Sequence, residues 1–317
     1  MKKVFIDGQS GTTGLKIHQH LTDRSDICLL QIDKAERKNA AAKEALLADA
    51  DVTVLCLPDD AARETAALAA NHNTRLLDAS TAHRTDPAWV YGLPELDKAQ
   101  RGHITEARYV SNPGCWPTGF LLLVRPLVNA GLLAPDSLLT VNGVSGYSGG
   151  GRQMIEDYQT REAEQADKLW SSRPYGFALN HKHLPEMQQL AGLTNKPIFT
   201  PNVGHFYQGM LVHVPLFQQQ LSSIQKPEAV AELWRSAYQH EACIRVHAAN
   251  SDAELEAGFL DPQGNNLTNR VDLFVFGHEE QLLLTARLDN LGKGASGAAV
   301  QNLNLMLGFD ELAGLKV

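Results

Sequence analysis

Apolar positions follow two different rhythms along this chain of 317 residues. In the first third, short apolar runs alternate with stretches of helical spacing. Residues 3–7 are an apolar run that stops at Gly8, and 13–21 place apolar side chains three and four apart. Residues 27–32 repeat the strand pattern, and 40–50 are rich in Ala and Leu. Residues 52–57 (Val-Thr-Val-Leu-Cys-Leu) read as a buried strand stopped by Pro58. Residues 61–71 are helical again and 75–78 form another strand. This order predicts a parallel sheet covered by helices on both faces.

The second rhythm begins near residue 138. Strand patterns occupy 138–144, 197–203, 210–217, 244–248, 271–276 and 281–288, with helices expected at 152–164 and 227–238. Strands now outnumber helices, and the short gap 277–280 is hairpin-like. An α+β domain with a mixed or antiparallel sheet is expected, followed by an amphipathic helix over 296–307.

Composition narrows the function. A hydrophobic content of 44% with 20% charged residues describes an ordinary globular protein, and a net charge of −8 argues against nucleic acid or an anionic membrane as partner. No stretch reads as a membrane span, and the N-terminus is too short in its apolar part for a signal peptide. Cys28, Cys56, Cys115 and Cys243 are scattered without a Cys-x-x-Cys pair, which favours a reducing cytoplasm over a disulfide framework.

Candidate chemistry begins at Cys115, inside Ser111-Asn112-Pro113-Gly114-Cys115-Trp116-Pro117. Pro113 and Gly114 make a turn, and Phe120, Leu121, Leu123, Val124, Leu127 and Val128 then recur at helical spacing. The thiol is therefore expected at the positive end of a helix, where thiolate and a developing oxyanion are both stabilised. A buried, inert cysteine is the alternative.

A second feature is Gly8-Gln9-Ser10-Gly11-Thr12-Thr13-Gly14, between the first strand and first helix. Its G-x-x-G-x-x-G spacing lets backbone approach a pyrophosphate at the helix start, with hydroxyl donors beside it, so a Rossmann-type dinucleotide site is expected. Beyond the second strand, in Asp33-Lys34-Ala35-Glu36-Arg37-Lys38, an acid suits NAD and Arg37, helped by Lys34 or Lys38, suits NADP; the arginine favours NADP. Lys293 and Gly294 lie in a second glycine-rich loop before the last helix.

A thiol nucleophile needs a base. His181 and His183 stand together in Asn180-His181-Lys182-His183-Leu184-Pro185-Glu186, where Glu186 is placed to orient His183. No metal is expected, because no further ligand cluster accompanies the two histidines. Ser145, Gly146 and Arg152 belong to a permissive Gly- and Ser-rich loop suited to an acyl phosphate or carboxylate. Ser80 and Arg84 follow the fourth strand, at the carboxyl edge that lines ligand crevices.

Taken together, these motifs resemble the N-acetyl-gamma-glutamyl-phosphate reductases, in the shorter of that family's two types. The resemblance runs from Gly8 to Gly294 and is carried by Ser111–Cys115, by Tyr91-Gly92-Leu93-Pro94-Glu95-Leu96, by Gly143–Gly146, by the His181/His183 segment and by Lys293-Gly294-Ala295-Ser296-Gly297. It implies an α/β fold with an N-terminal Rossmann-type parallel sheet and a second α+β catalytic and dimerisation domain. The dinucleotide-binding part spans 1–114 plus 296–317, and the catalytic, substrate and oligomerisation part spans 115–295. It also implies NADP-dependent reduction of an acyl phosphate through a cysteine thioester, in a cytoplasmic homo-oligomer. The implied roles are catalytic for Cys115, His183, His181 and Glu186. Gly8, Ser10, Gly11, Thr12, Thr13, Gly14, Arg37, Ser80, Lys293 and Gly294 are implied at the cofactor. Arg84, Asn112, Ser145, Gly146 and Arg152 are implied at the substrate. An acyl-phosphate reductase like the aspartate-semialdehyde dehydrogenases is the alternative, with the same fold and thioester chemistry.

Overall fold

The computed structural model describes residues 1–317 except Ser10, Lys34 and Lys38. The expected roles of those three therefore lie outside the described residues. The chain divides into two compact units, Met1–Pro113 with Ala295–Lys316, and Gly114–Gly294 with Val317.

The first unit runs β1 (Lys2–Asp7), α1 (Thr12–Thr22), β2 (Ile27–Leu30), α2 (Ala40–Asp49), β3 (Val52–Leu55), α3 (Asp59–Ala69), β4 (Arg75–Asp78), β5 (Val90–Tyr91), α4 (Gln100–Glu106) and β6 (Tyr109–Ser111). Among the described residues the sheet has six strands in the order β2-β1-β3-β4-β6-β5. Every pairing in it is parallel. Alternation along β1 decides what each face buries. Val4 and Ile6 pack with Ile17 and Leu21 of α1, Ile104 of α4 and Leu303 of the last helix, Gly297–Leu307. Phe5 points the other way, onto Leu47 of α2 and Ala62 and Ala69 of α3. Two strands end earlier than the apolar runs suggest, β2 at Leu30 and β3 at Leu55. Hydrophobicity continues past these points because the residues still pack, while the ladder stops.

The second unit opens with α5 (Cys115–Asn129) and β7 (Thr140–Gly146), followed by α6 (Gly151–Glu164), β8 (Arg173–Pro174), α7 (Leu184–Ala191), β9 (Ile198–Gly204), β10 (Met210–Phe217) and α8 (Pro227–Tyr238). It closes with β11 (Ile244–Val246), a small hairpin of β12 (Leu255–Glu256) and β13 (Phe259–Leu260), β14 (Val271–Gly277) and β15 (Gln281–Leu288). Among the described residues the larger sheet orders as β11-β14-β15-β10-β7-β9-β8. It is mixed: β14, β15, β10 and β7 pair antiparallel, whereas β7 runs parallel to β9.

Helix α5 is apolar on all sides, and Trp116 through Val124 are buried, as a helix enclosed by its own domain requires. It approaches β10 closely at Gly119, where a Cβ would come within 2.7 Å of Val212. Pro126 inside the helix has no N–H for the Leu122 carbonyl, and the Tyr238 hydroxyl of α8 donates to that oxygen instead at 2.8 Å. No helix among the described residues is long and apolar enough to cross a membrane.

Candidate active site

Cys115 is the first residue of α5. Gly114 caps the helix in an extended conformation without a side-chain bond, and its carbonyl accepts the Thr118 N–H at 2.9 Å. Pro117 in the first turn contributes no donor. The Cys115 and Trp116 N–H groups belong to the turn whose donors have no intrahelical acceptor, the arrangement that favours an anion. None of the four cysteines is in a disulfide.

Two remote segments press on this helix start. The stretch Gly292–Ser296, expected as a glycine loop, is a π-helical turn, a form common at functional sites. The Gly294 N–H bonds the Asp289 carbonyl at 3.0 Å. The second segment is α7, whose Glu186 is buried and accepts the Gly114 N–H through Oε1 at 2.7 Å.

A cavity of about 220 Å³ opens beside the thiol, lined among others by Cys115, Ser145, Gly146, Tyr175, His181 and His183. His183 caps α7 and is buried. Its N–H donates to His181 Nδ1 at 3.2 Å, which leaves the His181 ring proton on Nε2. Burial, with the charge of Lys182 added, pushes His181 down to about 4. His181 is thus a neutral hydrogen-bonding group near neutral pH, packed edge-on against Phe199 and His183.

Tyr175 and Lys182 also line the cavity and were not singled out from sequence. Burial pushes the Tyr175 hydroxyl up, negative charge at Cys115 adds to the rise, and a hydrogen bond with the Trp116 side chain opposes it. Tyr175 therefore keeps its proton. No sequence periodicity marks it, because it follows a two-residue strand that pairs only with β9.

The expected substrate residues part company. Ser145 and Gly146, at the end of β7, do line the cavity, whereas Arg152 is exposed on α6 and is not among its lining residues. Among the described residues that line it, Lys182 is the one with a cationic side chain. Asn112 lies in the first unit and spends its amide there, donating to the Ala295 carbonyl at 3.0 Å and accepting from Asn302 at 3.0 Å. Arg84 donates to the Ala79 carbonyl of its own loop at 3.3 Å. Ser80, expected at the cofactor, donates its hydroxyl to Asp78 at 2.7 Å and accepts from the Ala82 N–H at 3.1 Å. Lys293 is fully buried within its turn. Short polar residues near glycines are as well suited to pinning turns as to touching ligands, and only the partners distinguish the two.

Within the first unit, Gly8 and Arg37 line one cleft of about 460 Å³ together with Gln9, Lys43 and Glu64. Gly8 has φ +95°, and a Cβ there would fall 2.2 Å from the Cys56 carbonyl oxygen; one on Gly14 would fall 2.5 Å from the Gly8 carbonyl oxygen. Gly11 caps α1, with Thr12 and Thr13 in its first turn. The Gln9 Nε2 atom is buried with no hydrogen-bond partner among the described residues. Such a donor, with a bare glycine turn and two cations in one cleft, fits a phosphate-bearing dinucleotide. Lys43 was missed by sequence reading. It sits on α2 and pairs with the buried Asp7 carboxylate at 2.8 Å.

Comparison with known proteins identifies the family. Residues 3–104 match a family model described as semialdehyde dehydrogenase, NAD binding domain, and residues 115–290 match one described as semialdehyde dehydrogenase, dimerisation domain. The chain is 49% identical to N-acetyl-gamma-glutamyl-phosphate reductase 2 of a Nostoc species, covering 99% of each. It is 50% identical to N-acetyl-gamma-glutamyl-phosphate reductase of a Chelativorans species, covering 96% of this chain and 98% of the relative. Among solved structures, aspartate semialdehyde dehydrogenase II of Vibrio cholerae, complexed with ASA, superposes with a TM-score of 0.73 at 13% identity, covering 97% of this chain and 98% of that one. The Francisella tularensis aspartate semialdehyde dehydrogenase gives 0.73 at 12%, covering 97% and 100%. At such low identity these two speak for the fold, while the near-full-length relatives decide the family: this chain belongs to the N-acetyl-gamma-glutamyl-phosphate reductases of the semialdehyde dehydrogenase family.

Proposed function

We propose that this protein catalyses the NADPH-dependent reduction of N-acetyl-L-glutamyl 5-phosphate to N-acetyl-L-glutamate 5-semialdehyde and phosphate, in arginine biosynthesis. The names of the near-full-length relatives support the reaction. The observation that carries the mechanism is that Cys115, at a helix N-terminus, and the buried His183 line the same cavity.

In this reading the Cys115 thiolate attacks the acyl carbon. The N–H groups of the helix start receive the oxyanion, and the C–O bond to phosphate breaks, leaving a thioester. Lys182 faces the anionic end of the substrate, and the protonated Tyr175 supplies a neutral donor. Gly8, Gly11, Thr12, Thr13 and Gly14 hold the cofactor pyrophosphate with Lys43 beside it, and Arg37 favours the additional phosphate of NADP. When bound, the cofactor supplies a hydride equivalent to the acyl carbon. His183 gives a proton to the oxyanion left on the acyl carbon, forming the thiohemiacetal, and takes the hydroxyl proton back as the C–S bond breaks, so that Cys115 leaves as thiolate and aldehyde is released. In the oxidative direction the same imidazole removes that proton. The match of residues 115–290 to a dimerisation domain supports a homo-oligomer, and the biosynthetic role suits the cytoplasm.

The test is phosphate-dependent NADP reduction by the purified protein with N-acetylglutamate semialdehyde and with aspartate semialdehyde. Preference for the first, abolished in Cys115→Ser with cofactor binding retained, is expected. Preference for the second would transfer the chain to aspartate-semialdehyde chemistry, and substantial turnover by Cys115→Ser would remove the thioester.

A further inference from the structure

Glu186 is the third residue of α7, the position from which a glutamate ordinarily reaches back to the N–H of its own helix cap. Here that N–H, on His183, is already donated to His181 Nδ1 at 3.2 Å. The buried Glu186 carboxylate reaches 72 residues away in sequence, to the N–H of Gly114, at 2.7 Å. Gly114 is the cap of α5, and the third position of α5 is Pro117, whose side chain can supply no acceptor. The glutamate of one helix thus completes the cap of another. The two helices joined in this way start beside the thiol and the imidazole: Cys115 is the first residue of α5, and His183 is the cap of α7.

We propose that Glu186 is a positioning residue, a capping group supplied between helices, that sets the α5 start against the α7 start and so fixes Cys115 relative to His183. The inference rests on the reductase reading above. It differs from a triad-like role, in which the carboxylate would act by its charge on the imidazole. A neutral amide oxygen can accept the Gly114 N–H as well, whereas a shorter carboxylate keeps the charge and cannot span the gap. An N–H bond to a charged acceptor is only modestly stronger than one to a neutral acceptor, so loss of charge alone is mild. Misplacement of a reacting group by about 1 Å costs on the order of 100-fold in rate.

The experiment compares Glu186→Gln with Glu186→Asp, both conservative enough to fold. Steady-state kinetics are measured with both substrates, and Cys115 alkylation by iodoacetamide is followed without cofactor or substrate. Glu186→Gln is expected to keep kcat and the alkylation rate within about tenfold of wild type. Glu186→Asp is expected to lose about 100-fold in kcat with KM little changed, and to show altered alkylation. Glu186→Asp matching or exceeding Glu186→Gln in kcat and alkylation would overturn the proposal in favour of a charge-based role. Alkylation that follows the expected order while wild type itself reduces no acyl phosphate would sink the reductase reading and leave the interhelical cap standing.

Discussion

Gly294 lies so close to Cys115 that a Cβ on the glycine would stand 2.7 Å from the Cβ of the cysteine and 3.1 Å from the Asp289 carbonyl oxygen. Neither neighbour is the far end of a flexible side chain, so a methyl group here must displace the nucleophile or the turn. Gly294→Ala is expected to lower kcat about 100-fold. Steady-state kinetics check this, and unimpaired turnover would show that the turn yields without moving the thiol.

The two histidines of the cavity are expected to separate. His181 is held at about 4 by burial and by Lys182, so it is neutral throughout the range from pH 6 to 9, and its Nδ1 already accepts a backbone N–H. His183→Asn should therefore lose about 10²–10⁴-fold in kcat, the usual contribution of a proton-transfer group. His181→Asn should lose less and leave the shape of the pH–rate profile unchanged in that range. The reverse order would move the acid/base role to His181.

Lys43 pairs with Asp7 at 2.8 Å, where β1 runs into the glycine turn, and Thr65 donates to the same carboxylate oxygen at 3.2 Å. Removing Lys43 leaves the buried Asp7 carboxylate without its cation in the cleft proposed for the cofactor. Lys43→Ala is expected to raise KM for NADPH and NADH alike, by about tenfold, because each carries the pyrophosphate. Arg37→Ala is expected to raise KM for NADPH selectively. Equal effects of Arg37→Ala on the two cofactors would place Arg37 away from the extra phosphate.

A buried charge network in the second unit predicts acid sensitivity. Burial works against the Asp272 carboxylate, but His247 Nε2 at 3.7 Å, hydrogen bonds from Arg287 and Arg270 and the charges of both arginines outweigh it and hold the group at about 2, against an ordinary 3.8. A depressed carboxylate stabilises the fold above the pKa of the unfolded chain and ceases to do so as pH falls through the folded value. The contribution, on the order of 2 kcal/mol, is therefore expected to be present at pH 5 and above and to fade between about pH 4 and pH 2. Urea unfolding of wild type and Asp272→Asn across this range should show their difference shrinking on acidification, and a constant difference would refute the assignment.

The legible part of the fold was the part written in repeated spacing. Helix α8 starts at Pro227 and ends at Tyr238, as the apolar period and the initial proline indicate. Strands β10 and β15 span the residues that alternation marks. Illegible were β5 and β6, of two and three residues, and α4, too short to display a period. The same division holds for the candidate site. Cys115 and His183 stand in motifs, and Lys182 shares the histidine segment without being marked by it, whereas Tyr175 and Lys43 carry no local signal and are brought to their cavities by strand and helix placement.

By itself the sequence determined the α/β and α+β character of the two parts, the helix start under Cys115, and a glycine turn that only a side-chain-free backbone can make. These depend on neighbours within a few residues, so periodicity, proline and glycine suffice to specify them. Tertiary structure alone decided that Asn112 bonds to Ala295 and Asn302, that Gly294 is pressed against Cys115, and that Glu186 reaches Gly114. Each of those outcomes is a choice among acceptors or neighbours far away in the chain, and that choice exists only once packing has brought them within reach.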